Sequence, residues 1–248
     1  MEGPTYVALS AQVALERQLG VIANNIANAS SNGFKADRPL FQSYIDRLAV
    51  PGRAMAFVQD RATYIDRSQG PIETTSNPLN LAIKGDGFFA VSGPAGIEYT
   101  RDGRLSIGND GSLQDSSGRS FLGDDGMPVT LPSNYTNLDI HGDGSIFVTV
   151  NDQQQQVGRI GTFRPPNPVL LRKAGDGLIN VPGGMAPIDP EDPASRIVQG
   201  ALEGSTIQPV TEIANMTELS RAYERLQSLL SDDNSREREM IQALGQFS

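Results

Sequence analysis

The sequence predicts an α+β protein in which the N- and C-terminal helices pair as a coiled inner unit and an antiparallel all-β domain is inserted between them. Three observations predict it. Apolar residues recur every three or four positions at both ends of the chain, Asp-Gly pairs punctuate the middle, and between Pro4 and Phe34 only the adjacent Glu16 and Arg17 are charged.

The first helix is read from Leu15, Leu19, Ile22 and Ile26, the a/d rhythm of a packing helix. Tyr6, Leu9 and Val13 form a second stripe. At 100° per residue the two stripes lie roughly 140° apart, so one partner surface covers only one of them and neighbours are expected on both sides. The helix runs out in Ala23 to Lys35, "ANNIANASSNGFK", where Asn32-Gly33 is a good stop. Asn24, Asn25 and Asn28 make a polar patch beside Ile22 and Ile26. Each costs some tenths of a kcal/mol against alanine inside a helix. Amides bonded to a neighbouring backbone would fix register where apolar contacts alone do not.

Residues 35–78 have mixed character and are expected as an extended connector. The β-rich outer domain is placed at 79–199. Leu79 to Lys84, Phe88 to Val91, Arg104 to Ile107 and Ser145 to Val150 read as strands, and Asp-Gly pairs fall at 86–87, 102–103, 110–111, 125–126, 143–144 and 176–177. Asp-Gly suits tight hairpins because both central residues tolerate positive φ. Pro165 to Pro193 is a proline-rich return segment, expected to be irregular. The helical inner domain takes 1–34 and 200–248. In its second half Met216, Leu219, Tyr223, Leu226 and Leu230 alternate three and four, and the phase continues through Asp233 and Glu237 to Met240, Leu244 and Phe247. One long helix with a polar interruption is expected, started by Thr211 or Thr217.

Composition narrows the function. A net charge of -9 and a pI near 4.6 argue against a nucleic-acid partner. With no cysteine there is no thiol catalysis, disulfide or Cys-based zinc. No cleavable secretory signal and no transmembrane helix are expected, since the longest uncharged run, Gln18 to Phe34, holds four asparagines and two serines. Gly85 to Ala90 formally fits G-x-G-x-x-A, but Val91-Ser92-Gly93-Pro94 cannot open the helix a dinucleotide site needs. His141 is the only histidine, and no nucleophile elbow or Walker motif accompanies it. The Asp-Gly loops lack the spacing of a calcium loop. No catalytic, cofactor-binding or metal-binding residue is assigned, and no cofactor or small-molecule substrate is expected.

"ANNIANASSNGFK" and "QGALEGSTIQPVTEIANMTELSRAYE", from Gln199, resemble the N- and C-terminal signatures of the bacterial flagellar rod and hook proteins. "YVALSAQ" and "RPPNPVLLRKAGDGLINVP" look most like the proximal-rod branch of that family. The resemblance implies a structural subunit of the periplasmic rod of the basal body, a drive shaft from motor to hook. It implies export through the flagellar type III apparatus, and as partners other copies of the chain and other rod proteins. The assembly interface is then expected at Leu15, Leu19, Ile22, Asn24, Asn25, Ile26 and Asn28, with Met216, Leu219, Tyr223, Leu226 and Leu230. The alternatives are a distal-rod or hook-type axial protein, or a secreted β-rich calcium-binding or hydrolytic protein that explains only the Asp-Gly turns.

Overall fold

The computed structural model describes residues 2–47, 54–94, 96–167 and 171–245. The protein is α+β, mostly β with a helix at each end, and divides into two compact units. The first unit draws on Met1–Ala27, Asp37–Tyr64 and Gln208–Ser248, the second on Asn28–Ala36 and Ile65–Ile207. The sequence-based boundaries at 34/35 and 199/200 therefore both fall inside the second unit, because the segments beside them are hydrogen-bonded into its strands.

In the first unit α1 spans Glu2–Ala27, β1 Asp37–Arg47, β2 Ala54–Ile65 and α2 Pro209–Gly245. The 35–78 stretch is thus not only a connector: β1 and β2 pair as a two-stranded sheet. The α2 helix opens on a proline, whose missing N–H costs nothing in the first turn. Glu212 N–H donates to Gln208 O at 3.1 Å, and the Thr211 hydroxyl reaches Gln208 Oε1 at 3.4 Å. Thr217 is not a cap: it lies inside the helix and its hydroxyl donates back to Ile213 O. The two helices pack on each other. Gln12 Nε2 donates to the Tyr223 hydroxyl at 3.1 Å, Ala8 lies beside Leu226 and Leu230, and Ile22 shares a cleft with Leu219, so the helices run antiparallel. Of the second stripe, Leu9 and Val13 are 51% and 59% exposed, uncovered within the unit. The side chains of Tyr6 and Leu244, and Phe247 altogether, lie outside the described residues.

The second unit carries β3 (Ile72–Thr74), β4 (Leu81–Gly85), β5 (Phe88–Gly93), β6 (Gly96–Thr100), β7 (Ser106–Ile107), β8 (Leu113–Gln114), β9 (Asn137–Ile140), β10 (Ser145–Val150) and β11 (Gln153–Arg159). It continues with β12 (Thr162–Arg164), β13 (Arg172–Gly175), β14 (Leu178–Asn180), β15 (Ala186–Pro187), β16 (Ser195–Gln199) and β17 (Ala201–Glu203). Among the described residues the largest sheet has six strands, ordered β13-β14-β6-β5-β12-β15. The β9–β11 meander, β4–β16, β3–β17 and β7–β8 complete the unit, and every pairing among its described strands is antiparallel. Phe88-Phe-Ala-Val is apolar without alternation because both faces of β5 are covered. Phe89 and Val91 enter one buried cluster with Leu81, Ile83 and Phe121, and Phe88 and Ala90 enter another with Tyr99 and Phe163.

The turns differ from the expected hairpin chemistry. Asp176-Gly177 has positive φ at both residues and joins β13 to β14 inside the proline-rich segment, which is therefore not irregular throughout. At Gly111, Gly126 and Gly144 only the glycine is left-handed, and its N–H donates to the carbonyl three residues back. The preceding aspartate accepts an N–H two residues on: Ser112 to Asp110, Met127 to Asp125 and Ser145 to Asp143, at 2.9–3.0 Å. These carboxylates serve their own turns.

Candidate assembly site

Two structural knots flank the points where the chain passes between the units. The first lies wholly in the second unit. Gly33 N–H donates to Glu203 O (2.7 Å), Thr206 N–H to Phe34 O (3.1 Å) and Ala36 N–H to the Thr206 hydroxyl (3.0 Å), while Phe34, Ala36 and Ile207 form a small buried cluster. Asp66 N–H donates to Ala36 O at 2.8 Å and Ala29 packs on the cluster, so residues beside all four crossing points gather in one patch of this unit. Gly33 sits at φ +67° against the Arg101–Asp102 peptide, which a Cβ would overlap.

Beneath this patch lies a buried ion triad. Glu203 is fully buried; Oε1 accepts from Lys35 Nζ (2.6 Å) and Gly70 N–H (2.9 Å), and Oε2 accepts from Arg101 Nη1 (2.7 Å). Lys35 also donates to Ser68 O, and Arg101 to Ile83 O and Gly85 O, with its guanidinium 5.2 Å from the Phe88 ring centre. Burial pushes the Lys35 ammonium below its usual range and neighbouring Arg101 adds to the drop, partly offset by Glu203. The Gly85 to Ala90 fit to G-x-G-x-x-A is accordingly the end of β4, the Asp86-Gly87 turn and the start of β5, and Gly85 O holds Arg101.

The second knot lies in the first unit. Asn25, 1% exposed, pairs its amide with the main chain of Asp37: Nδ2 donates to Asp37 O and Asp37 N–H donates to Oδ1, both at 3.0 Å. A side-chain amide thus stands in for one rung of a β-ladder and ties the last turns of α1 to the start of β1. Beside it Arg38 Nη1 meets Glu212 Oε1 at 2.8 Å in the first turn of α2, where a carboxylate also suits the helix dipole. Both pairs line a cleft of about 790 Å³.

Of the residues singled out in the sequence, Ile22 and Asn25 are buried within this chain. Leu15, Leu19, Ile26, Asn28, Leu219, Tyr223, Leu226 and Leu230 are half-buried, and Asn24 and Met216 are exposed. Lys35, Arg101, Glu203, Arg38 and Glu212 were not singled out. The visible signal was Lys35, one of three lysines, closing the first signature. His141 lies half-exposed, 3.4 Å from Asp139 and stacked near Phe147.

Residues 6–35 match the family described as flagella basal body rod protein, 82–148 the flagellar hook protein FlgE/F/G D1 domain, and 198–244 the flagellar basal body rod FlgEFG protein C-terminal region. The flagellar basal-body rod protein FlgF of Caulobacter vibrioides is 34% identical over 254 aligned positions, covering all of both chains. The FlgF of Mesorhizobium japonicum is 33% identical, again across both whole chains. The chain belongs to the flagellar basal-body rod protein family. It is a structural subunit of the rod that carries torque in the flagellar basal body, and not an enzyme. A FlgG rod protein of Buchnera aphidicola is 30% identical, over 94% of this chain and 95% of its own. In this rod-family chain the ion triad takes one residue from each matched segment: Lys35 from the first, Arg101 from the second and Glu203 from the third.

Proposed function

We propose that the chain builds the proximal part of the rod by axial assembly, its terminal helices paired as a coiled inner unit and its inserted β domain facing outward. The partners are further copies of the chain and other rod proteins, and the chain reaches them through the flagellar type III apparatus. The inner unit takes in the sequence-predicted interface, and 79–199 forms the outer face. One observation carries the reading: the two helices pack on each other and still leave large apolar side chains in water. Leu9 and Val13 on α1, and Val210 and Ile213 on α2, are each more than half exposed. Burying such a side chain yields about 1.5–3 kcal/mol, which the isolated chain forgoes. The FlgF relatives, matched end to end, support the proximal position.

Val13→Asp and Ile213→Asp test it. Both sites are exposed, so each variant should fold and be exported normally, yet place a carboxylate in an apolar seam between subunits. Expressed in a strain lacking the protein, with export verified, neither should yield rods when basal bodies are counted by electron microscopy. Normal rods from both variants would reverse the reading.

A further inference from the structure

The first unit carries a cleft at one end of its helix pair and a projecting helix at the other. In the cleft Glu212 is 2% exposed; its Oε1 is held by Arg38, and its Oε2 is buried without a hydrogen-bond partner. A buried carboxylate oxygen with no donor is costly to leave so, and the residue that bears it lines an open cavity. The remaining walls are mixed: Arg221 and Arg225 supply positive charge, Glu218 negative, and Ile22 and Leu219 an apolar side.

At the far end α2, with 37 residues, outruns α1, with 26. With Gln12 level with Tyr223, the start of α1 stands near residue 233 of α2, which continues for about another 18 Å at 1.5 Å per residue. Arg236, Glu239 and Met240 share one face there at i, i+3 and i+4, and all three are exposed. That face offers a cation, an anion and an apolar side chain; the cleft offers the complement of each. Its volume accommodates about one and a half turns of a helix roughly 11 Å across.

Resting on the assembly reading above, we propose that the projecting end of α2 from a second copy docks in this cleft, with Arg236 donating to Glu212 Oε2. Glu239 faces Arg221 and Arg225, and Met240 lies on Ile22 and Leu219. The two surfaces are different and sit at opposite ends of one helix pair, so the contact is head-to-tail and propagates rather than closing a dimer.

The chain has no cysteine, so an engineered cross-link is unambiguous. Asn215→Cys on the cleft wall combined with Met240→Cys in the full-length chain should give a ladder of dimers, trimers and higher forms on oxidation. A mixture of the two single variants should stop at dimers. Adding Arg236→Glu, on the exposed projecting turn, should cut the ladder roughly ten-fold or more, with Arg236→Lys intermediate. Glu212→Gln should weaken it as well. If the double-cysteine chain stays monomeric on oxidation while sedimentation shows oligomers, or if Arg236→Glu leaves the ladder unchanged, the docking is overturned and axial assembly stands. Monomers by both measures, together with normal rods from Val13→Asp and Ile213→Asp, would remove the assembly reading too.

Discussion

Replacing Glu203 with glutamine is a small change in shape and a large one in charge. The side chain keeps its shape but loses its charge, leaving Lys35 and Arg101, both nearly inaccessible, without the carboxylate they are hydrogen-bonded to. Breaking one partner out of a buried ion network costs about 3–5 kcal/mol, because the orphaned charge stays desolvated. Against a total stability of about 5–15 kcal/mol this is a large fraction. At about 2–4 °C per kcal/mol for a chain of this size, the melting temperature should fall by about 6–20 °C. Lys35→Met removes an ammonium that burial already disfavours and leaves Glu203 bonded to Arg101 and Gly70, so its cost should be well below that of Glu203→Gln. The asymmetry is the signature of the triad. Calorimetry and urea unfolding of the full chain measure both variants. If Glu203→Gln lies within about 1 kcal/mol of the parent, as an exposed pair would, or if the two variants cost the same, the triad is not what holds the crossing patch.

Because burial, Arg101 and the opposing Glu203 leave the folded pKa of Lys35 below its unfolded value of 10.5, the unfolded chain holds the extra proton in the window between the two. The contribution of Lys35 to stability should therefore rise as pH climbs through that window and level off above it, read as the parent minus Lys35→Met difference in unfolding free energy; a falling difference would contradict the assignment. Gly33→Ala forces a left-handed residue into the Arg101–Asp102 peptide and should cost at least about 2 kcal/mol by urea titration, although alanine is the better residue elsewhere. Asn25→Ala should cost about 1–3 kcal/mol despite the gain in helix propensity, because the Asp37 N–H and carbonyl both lose their partner; faster hydrogen exchange at Asp37 would accompany it.

What could be read from the sequence was what is written locally. The 3.6-residue period of α1 and α2 depends on residues three and four apart, and so the helices were legible almost to their ends. The start of α2 lies two residues before Thr211 and eight before Thr217, the two starts expected, because Pro209 at the first helical position outweighs the threonine hydroxyls. The Asp-Gly pairs marked where the chain turns but not how, since the aspartates act through their carboxylates on the N–H two residues on, and only Asp176-Gly177 uses positive φ at both positions. The β1–β2 pair was taken for a connector because Asp37 to Arg47, with Pro39 near its start, shows no clean alternation. Nothing local could have joined Lys35 to Glu203, which lie 168 positions apart.

Asn25 shows how far a local anomaly can carry. Its cost in a helix was visible, and so was the expectation that an amide would bond to a backbone. The backbone is that of Asp37, twelve residues on in the same chain. The same holds for the signature segments: Gly33 and Lys35 bond to Glu203, and Phe34 and Ala36 to Thr206, within one unit, which accounts for their chemistry without a second subunit. Under the assembly proposed above, residues that fold the chain and residues left over for contact between chains are therefore different sets. The first are polar, paired and buried at the crossing patch; the second are Leu9, Val13, Val210 and Ile213, apolar and in water. A variant in the first set should melt earlier before it assembles poorly, and one in the second should assemble poorly while melting normally. Measuring both properties on Glu203→Gln and Val13→Asp separates the two roles, and a variant of the second set that melts early would show that the division is drawn in the wrong place.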